Sequence, residues 1–166
     1  MTEQLSAQEI ERYSRQLILP GWSAAAQREL GLCSVLTSFG SAARYLAAAG
    51  LGRVVLTREA ARDLVPFRAE LEALNPHCRI EDGSPESAGS VECVILDQPP
   101  AELACARIVL VVDQHSVTRL LPEGGVELRF QLCPSISGNN ADEARFIRGA
   151  CAALALLQLL AFRNGQ

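Results

Sequence analysis

The chain has 166 residues, a net charge of −4 and an apolar share of 49%, too apolar for a disordered segment. No basic tract stands out, which sets nucleic-acid binding aside as its main task. Lysine is absent and all 15 basic residues are arginine, so no mechanism can draw a lysine amine from this chain and no modifier can be joined to a lysine side chain.

One domain is expected at this length, with a helical arm over 1–31 and a Rossmann-like core over 32–166. Residues 6 to 18 place Ile10, Tyr13, Leu17 and Ile18 near helical spacing, and Pro20-Gly21 ends that helix. A second short helix over 23–31 leads into "CSVLTSF", a buried strand. Gly40 and Ser41 mark a turn and an N-cap, "AARYLAAAG" is a helix closed by a left-handed Gly50, and "RVVLT" is the next strand. Strand, turn, helix and strand make a βαβ unit. A helix over Asp63–Leu74 is closed by "NPH", "CRIED" is a short strand, and 82–90 is a turn-rich loop. "VECVILD" and "ARIVLVVD" are continuous apolar runs, the pattern of parallel strands covered on both faces. "VELRFQL" alternates and suits an edge strand. A long helix capped near Asn140 or Asp142 finishes the chain, apolar nearly all round in its last turns. The class is α/β: a Rossmann-like, mostly parallel sheet with helices on both faces.

The start, "MTEQLSAQEIERY", is polar and predicts no signal peptide. The longest uncharged apolar run, Gly149 to Phe162, is shorter than the ~18 residues of a membrane span. The expected setting is cytoplasmic, without membrane contact. The six cysteines form no CxxC pair and none stands beside a histidine at metal spacing, so buried reduced thiols are expected. Cys133, in "QLCPS", is the one candidate for a reactive thiol.

The order of elements, with "RYSRQLILPGW", "YLAAAGLGRVVL" and "LNPHCRIE", resembles the ThiF/MoeB/HesA family over Ser6 to Phe162. These are the activating enzymes of ubiquitin-like proteins and their bacterial relatives. The resemblance implies ATP and Mg²⁺, adenylation of the C-terminal Gly-Gly of a small ubiquitin-like or sulfur-carrier protein, and a dimer of like subunits or of one catalytic and one inactive subunit. The pathway stays open among thiamine, molybdopterin, cysteine and protein-tagging systems.

Set against the chemistry, this sequence departs from the family at each point that adenylation needs. A glycine loop should let backbone N–H groups reach phosphate at a helix N-terminus. Here only Gly40 remains in "VLTSFGSAARYLAAAG", in a segment several residues too short. The acid expected at the end of the second strand, to accept from the ribose hydroxyls, is Arg58, with Glu59 one step on. The family's Asn/Arg/Gln segment and lysine have no room in "EAARDLVPFRAELEAL", where Arg62 and Arg68 read as solvated helix residues. The family's Asp-x-Thr-Asp-Asn pattern meets "DQPPA": Asp97 matches the first position, and Pro100 stands where the metal-binding acid should be. A second alignment puts Asp113 there, with His115 beside it. The expectation is therefore no metal site, no cofactor and no independent adenylation, with Gly40, Arg58 and Asp97 as weak candidates for nucleotide contact.

The resemblance gives the arm a separate use. In the family, the second arginine of Arg-Tyr-x-Arg-Gln reaches the nucleotide phosphates in the partner's site. That position is Arg15, with Arg12 in the same motif; a planar guanidinium can bind two phosphate oxygens at once. The reading is a degenerate, non-catalytic partner subunit that donates Arg15 in trans. Two alternatives stay open: a module that binds a carrier protein without chemistry, and an active adenylyltransferase whose ATP site follows another alignment. Equally open is a purely structural arm, with Tyr13 and Leu17 packed on the sheet.

Overall fold

The structure, a computed structural model, describes residues 5–18, 22–99, 106–121, 125–132 and 141–163. Pro20-Gly21, Pro100, Cys133 and Asn140 lie outside the described residues, as does the side chain of Arg15.

Seven strands form one sheet in the order β3-β2-β1-β4-β5-β6-β7. These are β1 (Ser34–Thr37), β2 (Arg53–Leu56), β3 (Arg79–Asp82), β4 (Cys93–Leu96), β5 (Ile108–Val112), β6 (Ser116–Leu120) and β7 (Val126–Gln131). The first five are parallel; β6 and β7 add as antiparallel hairpins. The helices are α1 (Ala7–Leu17), α2 (Ala24–Leu32), α3 (Gly40–Ala49), α4 (Arg58–Leu64), α5 (Arg68–Leu74) and α6 (Ala141–Arg163).

Alternation along β1 divides the core. Val35 joins a large cluster with Leu46, Leu64, Leu156 and Leu160, under α3, α4 and α6. Leu36 joins a smaller one with Val55, Val94 and Val109 on the opposite face. Helix α6 contains a stretch, Ala141–Ala161, that is long and apolar enough by length and composition to cross a membrane, extending beyond the Gly149–Phe162 run. In this fold its Ala152, Ala153, Leu156 and Leu160 are buried against α3 and the sheet, while Leu154 is exposed.

Most elements form where the local pattern places them. Gly50 closes α3 at φ 106°, the left-handed position where a β-carbon is strained. Its Cα also faces Tyr13: a β-carbon there would come within 2.8 Å of the ring. Asn75 of the "LNPH" motif is buried and donates to Ala47 O at 2.7 Å, tying the α5–β3 turn to the end of α3. The motif thus has a structural use here.

Three expectations are corrected. The helix expected over Asp63–Leu74 starts at Arg58 and is broken by a 3-10 turn, Val65–Phe67, because Pro66 cannot supply an amide to a continuous ladder. The expected loop over 82–90 holds a 3-10 helix, Pro85–Ser90, opened by a reciprocal Ser84/Ser87 capping box. Strand β6 was not expected: its "SVTRL" run is too short to stand out from the turn before it.

Asp113 makes that turn. Its carboxylate accepts from the backbone amides of His115 (2.6 Å) and Ser116 (2.7 Å) and from the Ser116 hydroxyl (2.9 Å). Partial burial raises its pKa, but these bonds and Arg129 outweigh that and hold the carboxyl below its ordinary value. A depressed carboxylate contributes stability above its unfolded pKa and loses it as pH falls through its folded one. Asp113→Ala is therefore expected to cost about 1 kcal/mol at neutral pH. In denaturant titrations the difference from the parent chain should vanish below the ordinary carboxylate range; a difference that persists there contradicts this account.

Candidate functional site

In an open α/β sheet, ligands bind beyond the carboxyl ends of the strands, where the strand order reverses. Here that point lies between β1 and β4, beside the start of α3. Asp97 is there: its backbone N–H donates to Ser38 Oγ at 3.2 Å, and its Oδ1 accepts from the same hydroxyl at 3.5 Å. Gly40 is there too, but not as the expected turn residue. The N-cap of α3 is Phe39, which makes no side-chain cap bond, and Gly40 and Ser41 already belong to the first turn.

The crevice also holds a residue that the sequence reading missed. Arg145, on α6, donates from Nε to Asp63 Oδ2 at 3.1 Å and from Nη2 to Ser38 O, and its Nη1 stands 4.0 Å from Asp97 Oδ2. Its guanidinium carbon lies 4.8 Å from the centre of the Phe39 ring, a cation–π distance. A cavity of about 190 Å³ remains beside it, lined by Gly40, Ser41, Arg44, Asp63, Arg145 and Phe146. The available signal for Arg145 was faint: a cation one turn into a largely apolar helix, close before a glycine, Gly149.

These residues do not fit a triphosphate. A phosphate cradle needs the open side of glycines facing solvent. A β-carbon on Gly40 would meet Asp63 Cβ at 2.6 Å and Ala60 O at 3.1 Å, so α4 fills that side. Gly40 allows two helices to approach, which is a packing use. The next residues of α3 face α6: a β-carbon on Gly149 would meet Ser41 Oγ at 2.2 Å, Phe39 Cβ at 2.7 Å and Ala42 N at 3.2 Å. Among the described residues, no three His, Cys, Asp or Glu side chains are grouped so that they could hold a metal ion.

The other candidates are dispersed. Arg58 is exposed as the first residue of α4. Glu59, one step on, accepts from the Thr57 hydroxyl at 2.7 Å, and chiefly that bond lowers its pKa. Arg62 is exposed, whereas Arg68 is more than a solvated residue: it donates to Ile80 O at 2.9 Å and reaches Glu72 and Asp82, fastening α5 to β3. Asp113 is committed to its turn, and His115 is exposed beside it. Cys33, Cys78 and Cys93 are buried free thiols and Cys151 is half-buried. Burial pushes the Cys78 thiol up to about 11, away from the reactive thiolate.

At the opposite end of the sheet, α1 opens with a capping box: Ser6 N donates to Glu9 Oε2 at 2.8 Å, and Glu9 N to Ser6 Oγ at 3.3 Å. Tyr13 is buried against Gly50. Gln27 accepts from Trp22 Nε1 and donates to Ala49 O, both at 2.8 Å, joining α2 to the same place. Of the expected apolar stripe, Tyr13 alone is buried; Leu17 is half-buried, and Ile10 and Ile18 are 50% and 80% exposed.

No family model matches the sequence. Over 59 residues, however, it is 48% identical to the heterocyst protein HesA of Trichormus variabilis, a match covering 32% of this chain and 22% of that protein. The whole fold resembles two solved structures. PaaA is matched over 97% of this chain and 68% of its own, with a TM-score of 0.58 and 15% identity. Escherichia coli MccB, bound to MccA-N7isoASN, is matched over 95% and 65%, with a TM-score of 0.61 and 14% identity. The chain is similar to HesA over that 59-residue stretch. The structural likeness carries the fold. The stretch aligned with HesA is about a fifth of HesA's length. In this chain the crevice holds an arginine from its own last helix.

Proposed function

We propose that this chain is a non-catalytic subunit in the ATP-dependent activation of a ubiquitin-like or sulfur-carrier protein, paired with a catalytic family member or with a second copy of itself. The observation that carries this reading is the position of Arg145 in the chain's own crevice, paired with Asp63 and Asp97, on a fold that retains the arm. MccB, a protein of the same fold, has been crystallised with ATP. Here the start of α3 is covered by α4 and α6 instead. The arm supports a role toward a partner. Arg12 and Ile10 are exposed on α1, as are Ile18 just after it and Leu32 at the end of α2, three large apolar residues left for another surface. In this reading Arg15 of the same helix reaches the partner's nucleotide phosphates.

The test mixes this chain with its catalytic partner and follows pyrophosphate exchange. Arg15→Ala is expected to reduce exchange by about 10³-fold while sedimentation shows the complex intact. Unchanged exchange in an intact complex defeats the trans-acting role.

A second reading has an observation of its own. Edge strand β7 leaves Val126 61% and Leu128 40% exposed, which favours a module that binds a carrier protein without chemistry. Tight binding of a Gly-Gly-ended carrier to this chain alone, lost in Val126→Asp, selects it.

A further inference from the structure

We propose that the crevice is occupied by a resident internal cation: Arg145 latches α6 over the start of α3 and keeps that helix end closed to ligands. The inference concerns the isolated chain and stands whether or not the chain serves a partner.

Two independent observations carry it. The first is charge. Arg145 is surrounded by Asp63, Asp97 and the Ser38 carbonyl, with the Phe39 ring beneath it. Its positive charge is met by two carboxylates, so an incoming polyphosphate would face acids whose counter-ion is already in place. An arginine suits this position because its fork satisfies several acceptors in different directions at once, which a lysine ammonium does with less fixed geometry. The second is shape. One turn beyond Arg145, Gly149 seats α6 on Phe39, Ser41 and Ala42 with no space for a β-carbon. The Ala42 amide, one of those at the start of α3 that could hold an anion, therefore faces α6 at Gly149.

One atom shows what the closed arrangement costs. Ser41 Oγ is buried and has no hydrogen-bond partner, in a residue only 7% exposed. A buried hydroxyl left unpaired is unfavourable, and water would satisfy it if α6 moved away. The contact thus opposes two preferences: Arg145 and the Gly149 seat favour closure, and Ser41 with the first α3 amides favours opening. That opposition makes the N-terminal part of α6 a latch, with Arg145 as its fastening.

Hydrogen exchange of the isolated chain, read by mass spectrometry on peptides spanning 38–43, tests this. In the parent chain these amides are expected to exchange slowly and to be unaffected by millimolar Mg·ATP. Arg145→Ala is expected to speed them about tenfold or more while β4 is unchanged, the signature of local opening. Asp63→Asn removes one partner from the rim, where the carboxylate is 39% exposed, and is expected to act in the same direction even if Arg145→Ala does not fold. Protection of 38–43 by Mg·ATP only in the variants further supports the latch. Protection by Mg·ATP in the parent chain, or unchanged exchange in a folded variant, overturns it. Neither outcome depends on the pyrophosphate exchange that tests the partner role.

Discussion

Replacing Gly149 with valine is expected to lower the thermal unfolding midpoint by about 10 °C, equivalent to about 3 kcal/mol. The glycine lies inside α6, where most residues would improve the helix; glycine costs about 1 kcal/mol relative to alanine there. Helix propensity alone therefore predicts that Gly149→Ala stabilises the protein. Packing predicts the reverse, because the first added carbon meets Ser41 Oγ, Phe39 Cβ and Ala42 N together, and α3 and α6 are the most closely packed helix pair. Ser41 can turn its hydroxyl, but Ala42 N is backbone and cannot yield without moving α3. Valine adds two methyl groups to the same contact. Scanning calorimetry of both variants decides between the two predictions by sign. A higher midpoint for Gly149→Ala means that α6 is not seated on α3 as described.

Phe39→Ala is expected to be costlier still, at about 4 kcal/mol. Phe39 is among the largest fully buried side chains, at 1% exposure, and it is the residue from which α3 begins. Its ring lies in the main core and also supports the guanidinium of Arg145. Removing it leaves a cavity under α3 and takes away a cation–π contact of about 1 kcal/mol. Phe39→Leu keeps most of the volume and is expected to cost under about 1.5 kcal/mol. Urea unfolding gives both numbers, and the gap between them separates volume from mere substitution. A loss below about 1 kcal/mol for Phe39→Ala contradicts the burial on which the crevice depends.

The two variants act on one contact from its two sides, so their effects should not add. Gly149→Val pushes α6 against the Phe39 β-carbon, and Phe39→Ala removes the ring that supports Arg145 of the same helix. A double variant less damaging than the sum is expected, since neighbours that share a contact couple.

What could be read without the structure was what neighbouring residues decide among themselves. Continuous apolar runs marked β4 and β5 as strands covered on both faces, alternation marked β7 as an edge, and Gly50 marked the end of α3. Each is a choice of backbone conformation made over a few residues. The same local reading placed Gly40, Arg58 and Asp97 near strand ends, but it could not say what faces them. Gly40 seemed a turn residue, yet Asp63 and Ala60 of another helix decide its use. Arg145 is 82 residues from Asp63 and 107 from Ser38, and no pattern within α6 announces either partner. The chain alone determined the missing lysine and the order of most strands and helices, β6 apart. Only tertiary packing decided that the crevice between β1 and β4 is filled by an arginine, because that outcome rests on contacts among side chains brought together by the closing of the sheet and the docking of α6.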